Sequence, residues 1–235
     1  MDKRDNVVSD QHDHCYYEVV KPGSVAEWLM MRARRQIYED FKKIMRPEAC
    51  TTILDVGVSD VVQGGDNIIE RLYPYPSQIT AVGLGEGGEF RESFPAIKYS
   101  QIVSGSRLPF GDGEFAIATA NAVLEHVGST DSQKYFVLEL MRVAKEVFIS
   151  IPNRYFPVEH HTAMPFAGWN DATFKLACRA LGKEYWADSQ NLILMSASRL
   201  KRILPQSGKW EIGFTGIRFG PFSSNIYAYT SMRRV

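Results

Sequence analysis

Five short apolar runs with strand character recur between residues 52 and 151, with turns and helically spaced segments between them. They are Thr52–Gly57, Ile79–Leu84, a weaker Ile97–Ile102, Phe115–Ala120 and Val147–Ile151. Short, largely apolar strands alternating with helices predict a parallel sheet covered on both faces, joined by right-handed crossovers. Helices are expected at about 25–45, 67–72, 132–144, 171–181 and 196–204. In the first, Ser24 and Glu27 form a capping box, and Trp28, Ile37, Phe41 and Ile44 fall near one face before Pro47 closes the segment. Asp66 is placed to cap the second helix. An irregular stretch from Pro152 to about Asn170 follows the fifth strand. Trp210–Phe214 and Asn225–Thr230 then alternate as strands do and read as a closing antiparallel hairpin.

The expected organisation is a flexible N-terminal arm over 1–21 and a single α/β domain over 22–235. A chain of 235 residues with 45% hydrophobic side chains can bury a core of that size. Twenty-seven basic residues balance twenty-seven acidic ones, so no global field draws in nucleic acid or an anionic membrane. No apolar run approaches the ~20 residues of a membrane span, and the polar start is unlike a secretory signal. Cys15, Cys50 and Cys178 are far apart, which suits a reducing compartment; the expected location is cytoplasmic. His12-Asp13-His14-Cys15 offers ligand-type atoms without a second cluster, whereas structural zinc wants four spaced ligands. No metal is therefore expected.

In an open parallel sheet, ligands bind beyond the carboxyl ends of the strands. That rule singles out Asp55 and Gly57 after the first strand, Glu86 after the second, Ser104 to Arg107 after the third, Asn121 to His126 after the fourth and Pro152 to His161 after the fifth. Glycine at 57 allows close approach to the backbone. A carboxylate past the second strand can accept hydrogen bonds from ribose hydroxyls.

Leu108-Pro109-Phe110-Gly111-Asp112-Gly113-Glu114-Phe115, followed by Asn121-Ala122-Val123-Leu124-Glu125-His126-Val127, resembles the "LPF-x-D-x-x-F … LEHV" signature of class I S-adenosylmethionine-dependent methyltransferases, specifically the type 11 branch. Ile151-Pro152-Asn153-Arg154-Tyr155-Phe156-Pro157-Val158-Glu159-His160-His161-Thr162 is similar to the "PNRWFP-x-E-x-HT" segment of a subgroup found with bacterial polysaccharide and secondary-metabolite genes. The resemblance spans roughly 22–230. It implies a Rossmann-like, seven-stranded, mostly parallel sheet with one antiparallel strand, S-adenosyl-L-methionine as cofactor, and a small-molecule acceptor. Asp55, Gly57, Glu86, Ser104, Gly105 and Asn121 become the cofactor-binding candidates. The pattern departs in places. Asp55-Val56-Gly57-Val58-Ser59 keeps the acid and one glycine of the family's first loop; the ribose-binding acid falls at Gly85, one place before Glu86. An acidic or polar adenine contact becomes Ser104, and "F-D" becomes Phe115-Ala116.

The catalytic candidates are His161, His126 and Glu159. Histidine titrates near neutrality and can take a proton from a hydroxyl. In an extended backbone Glu159 and His161 share a side, so Glu159 could orient His161 as a base, or the two could simply tie the loop to the sheet. His126 could face the transferred methyl or buttress the next helix. Tyr155, Phe156, Phe166 and Trp169 either line an acceptor pocket or pack the loop as a lid. The favoured function is O-methylation of a saccharide or secondary metabolite. The rival is a catalytically degenerate methyltransferase-like binding or scaffold protein. A nicotinamide oxidoreductase would need G-x-G-x-x-G after the first strand, where Gly57-Val58-Ser59-Asp60-Val61-Val62 stands. A homodimer is left open.

Overall fold

A computed structural model describes residues 23–60, 62 and 66–230. The arm expected over 1–21, with its His12-Asp13-His14-Cys15 stretch, lies outside the described residues.

The strands are β1 (Ile53–Val56), β2 (Ile79–Gly83), β3 (Lys98–Gln101), β4 (Phe115–Asn121), β5 (Ala144–Pro152), β6 (Trp210–Phe219) and β7 (Phe222–Thr230). They form one sheet in the order β3-β2-β1-β4-β5-β7-β6. β1 to β5 pair in parallel, and β7 runs antiparallel to both β5 and β6. This is the seven-stranded, mostly parallel sheet with one reversed strand that the rhythm and the resemblance predict. The order reverses at β1/β4, which places the ligand crevice beyond the carboxyl ends of those strands.

Strand periodicity sorts the core. Leu54 and Val56 face one side, with Val137 and Leu140 of α4 (Thr130–Val143) and Leu200 of α7 (Ala197–Ile203). Ile53 faces the other, with Ile37, Phe41 and Met45 of α1 (Val25–Met45) and Ile69 of α2 (Ile68–Leu72). Phe41 meets Phe148 of β5 edge-on at 5.4 Å. Ser24 caps α1 by accepting from Glu27 N at 3.1 Å, and Glu27 Oε2 reaches back to Gly23 N at 2.6 Å. Arg46 ends the helix in the left-handed region, just before Pro47.

Several expectations are corrected. Trp28 is 58% exposed and sits under Arg32 rather than in the core. Asp66 does not cap α2. Its carboxylate is drawn to the Arg34 guanidinium, while Asn67 takes the left-handed cap position. β6 and β7 run longer than the hairpin read from alternation, since a register shift between Thr215 and Arg218 breaks the period of two. Two short helices, α3 (Gly88–Ser93) and α6 (Glu184–Ala187), are too brief to show periodicity.

Between β5 and α7 the chain carries α5 (Asp171–Ala180) and α6 on a small core of their own, with Phe174, Cys178, Trp186 and Leu194. Asp171 fastens this segment, accepting from Arg154 Nη2 at 2.7 Å and from the Arg199 guanidinium. Arg154 Nε also donates to Gly168 O at 2.8 Å. Among the described residues, no helix is long and apolar enough to cross a membrane.

Candidate active-site cleft

The loops after β1 to β4 converge on one cleft of about 810 Å³. Asp55, Gly57, Ser104, Gly105, Asn121, His126 and His161 all line it. Glu86 does not: it is exposed, and its carbonyl accepts from Arg91 Nη1 at 2.5 Å.

The loop after β1 is shaped from both ends. Gly57 has φ +92°, and a Cβ there would stand 2.3 Å from Val123 Cγ2, so only glycine fits. The Asn67 amide pairs with the backbone of Ser59, accepting from its N at 3.0 Å and donating to its O at 2.9 Å. Asp60 is thereby brought against the end of β2. It accepts from Gly87 N at 3.0 Å and Phe90 N at 3.4 Å. A Cβ on Gly85 would meet Asp60 Oδ2 at 3.0 Å. Asp60 thus lies in the cleft wall beside Gly85, its two carboxylate oxygens accepting from the backbone at the start of α3. Sequence reasoning missed it, because the contact spans 25 residues and needs the folded loop.

Asp55 lines the cleft floor but is buried, and its partner is Glu70 of α2. Burial pushes the Asp55 carboxyl up to about 7, and burial together with the Asp55 charge holds Glu70 well above the usual carboxylate range. Both buried carboxyls therefore favour their neutral forms. After β4, Asn121 Oδ1 accepts from Ser150 Oγ, and Ala122 takes φ 55°.

At the far end lies a histidine cluster. Glu159 and His161 meet across a turn rather than along extended backbone: Ala163 N donates to Glu159 O at 2.9 Å, closing it. Glu159 Oε1 takes His161 Nδ1 at 2.8 Å, and Oε2 takes Thr162 N at 2.8 Å and Thr162 Oγ1 at 2.6 Å. Burial opposes the Glu159 charge, but His161 and Thr162 outweigh it and hold the carboxyl at about 2. Burial likewise disfavours the His161 cation, yet Glu159 more than offsets it and raises the imidazole above its ordinary value. Glu159 stands behind His161, outside the cleft lining. His126 Nδ1 lies 2.6 Å from Asn191 O, and the two Nε2 atoms lie 3.2 Å apart. His160 is turned away, and burial lowers it to about 4.

Tyr155, Phe156, Phe166 and Trp169 do not line the cleft; they pack the loop. Phe166 meets Trp169 at 5.4 Å, Trp169 meets Phe222 at 5.8 Å, and Trp169 Nε1 donates to Tyr155 O at 3.2 Å. The aromatics that do line it are Tyr135, Phe136 and Tyr185.

No protein-family model matches the chain, and no curated protein matches it significantly in sequence. Solved structures do. A SAM-dependent methyltransferase of Thermotoga maritima, described as a possible histamine N-methyltransferase, is 14% identical with a TM-score of 0.57, over 92% of this chain and 98% of that one. The methyltransferase domain of bacterial CtHen1 is also 14% identical, with a TM-score of 0.53, over 87% of this chain and all of that one. The [4+2]-cyclase SpnF is 15% identical with a TM-score of 0.50, over 76% of this chain and 59% of that one. The chain has the fold of class I methyltransferases, and that fold hosts more than one chemistry.

Proposed function

We propose that this chain transfers a methyl group from S-adenosyl-L-methionine to an oxygen of a small-molecule acceptor, with a saccharide or secondary metabolite as the favoured class. The carrying observation is one cleft large enough for a nucleoside donor and an acceptor together, with the Asp60 carboxylate against the end of β2 and a histidine cluster at its far end.

The residues present fit the donor. Gly57 leaves the backbone bare where a side chain would intrude, Asp60 keeps lone pairs for ribose hydroxyls, and Leu84 and Ile102 add apolar wall. When bound, the donor supplies a methyl already activated on a sulfonium. The chain's work is then alignment and exclusion of water. Asn121 and Ser104 offer neutral hydrogen bonds from the strand ends. His161, held by Glu159 with its proton on Nδ1, presents Nε2 toward His126 and can relieve an acceptor hydroxyl of its proton. Tyr135 and Tyr185 offer ring faces to an acceptor.

The rival is a non-catalytic binding domain. It is favoured by Asp55, whose carboxyl is turned to Glu70 instead of standing free in the cleft. Calorimetry with the donor and with S-adenosylhomocysteine separates the two. Methyl transfer requires saturable binding, weakened on the order of 10-fold or more in Asp60→Asn. No heat at millimolar donor abolishes the catalytic reading, and unchanged affinity in the variant removes Asp60 from it.

A further inference from the structure

The geometry points to a divalent transition-metal site formed by His126 Nε2, His161 Nε2 and the carboxylate of Glu125, opening into the cleft.

Three observations converge. The first is the tautomers. Asn191 O and the ionised Glu159 can only accept, so each imidazole carries its proton on Nδ1. The Nε2 lone pairs then face each other at 3.2 Å, which is repulsive unless something positive lies between them. Two imidazoles bound at about 2.1 Å to one tetrahedral ion would place their nitrogens roughly 3.4 Å apart. The pair already has that spacing.

The second is Glu125. It is 1% exposed, and neither carboxylate oxygen has a hydrogen-bond partner among the described residues. An unpaired buried carboxylate is costly, and it is found beside a counter-charge. Its Oε1 lies 3.9 Å from His126 Nε2, and the three ligand atoms fall within 4.8 Å of one another.

The third is the surround. Each ligating ring donates its Nδ1 proton to an oxygen, the arrangement that fixes metal-binding histidines. Trp186 closes the back at 4.9 Å from His161, and both histidines face the cleft. Two imidazoles and one carboxylate suit zinc, iron, cobalt or manganese, and three protein ligands leave a position for an outside oxygen.

The site stands on these side chains alone. Its use, binding an acceptor oxygen and making its hydroxyl more acidic, rests on the methyl-transfer reading. With an ion bound, His161 is a ligand and no longer the proton acceptor. The sequence shows no metal spacing because His126 and His161 are 35 residues apart and meet only through the turn after β5.

The test uses the full chain stripped with a chelator and titrated with Co²⁺, followed by visible absorption and calorimetry, with no donor present. One equivalent per chain is expected, with the visible bands of ligated cobalt. His126→Ala and the isosteric Glu125→Gln should each weaken binding on the order of 100-fold, with thermal midpoints recorded to establish folding. A variant with His12 and His14 both changed to alanine should bind as wild type does. No saturable binding at millimolar Co²⁺, undiminished binding in Glu125→Gln, or loss only in the His12/His14 variant overturns the site. Cobalt binding without donor binding keeps the metal and ends the methyl-transfer reading; the reverse result does the opposite.

Discussion

At the scale of single residues, the cleft depends on where carbon is absent. Gly57 is the sharpest case. Its φ of +92° and the 2.3 Å approach of Val123 Cγ2 penalise any side chain twice, once through the backbone and once through packing. Gly57→Ala is expected to lose on the order of 2–3 kcal/mol in urea unfolding. Adding Val123→Ala should recover the packing part and leave the backbone part. A wild-type midpoint for Gly57→Ala, or a double variant no better than the single one, would contradict this account. Gly57 was legible in sequence, since a glycine closing an apolar strand has few other reasons to be there. Asp60 was not. Nothing in Val58-Ser59-Asp60 marks it, and its role appears only once Asn67 has folded the loop back onto β2. Glu86, singled out as a carboxylate past the second strand, stands exposed and outside the cleft lining. Glu125 was read only as part of a family signature, although its neighbour His126 was already a candidate.

At the scale of elements, periodicity carried most of the fold. The 25–45 helix, the five parallel strands and the closing hairpin were all visible as rhythm. Rhythm also revealed the 171–181 helix, but not the histidine turn or the short α6, which share the small core between β5 and α7. That segment is tied down chiefly by Asp171 between Arg154 and Arg199, an arrangement of residues 17 and 28 positions from it that no local pattern encodes. Replacing Asp171 with Asn keeps its size and removes the charge both guanidiniums share. Hydrogen exchange should then speed up across 154–195 while β1, β4 and β5 keep their protection, because the main sheet does not depend on this clasp. Uniform acceleration throughout the chain would mean that the segment and the sheet unfold as one unit.

At the scale of the whole molecule, the buried pair Asp55 and Glu70 makes stability depend on pH. Burial raises Asp55 from 3.8 to about 7, and burial with the Asp55 charge raises Glu70 well above 4.5. A carboxyl whose folded pKa exceeds its unfolded one contributes fully below the unfolded value, and that contribution is lost as pH climbs through the folded value. The folded state is therefore expected to weaken between about pH 4 and just above pH 7. Glu70→Gln removes one of the two buried charges and gives Asp55 an amide donor. At pH 8 the variant should be more stable than wild type by on the order of 2 kcal/mol, with the advantage shrinking toward pH 4. Glu125, also raised to about 7, titrates in the same window but is present in both proteins and drops out of the difference. Urea midpoints at pH 4, 6 and 8 decide the matter, and parallel curves for the two proteins would show that the carboxyls do not interact. Because Asp55 also forms the cleft floor, a cationic ligand settling beside it would favour the ionised pair, so binding and proton release would be coupled through the same two groups.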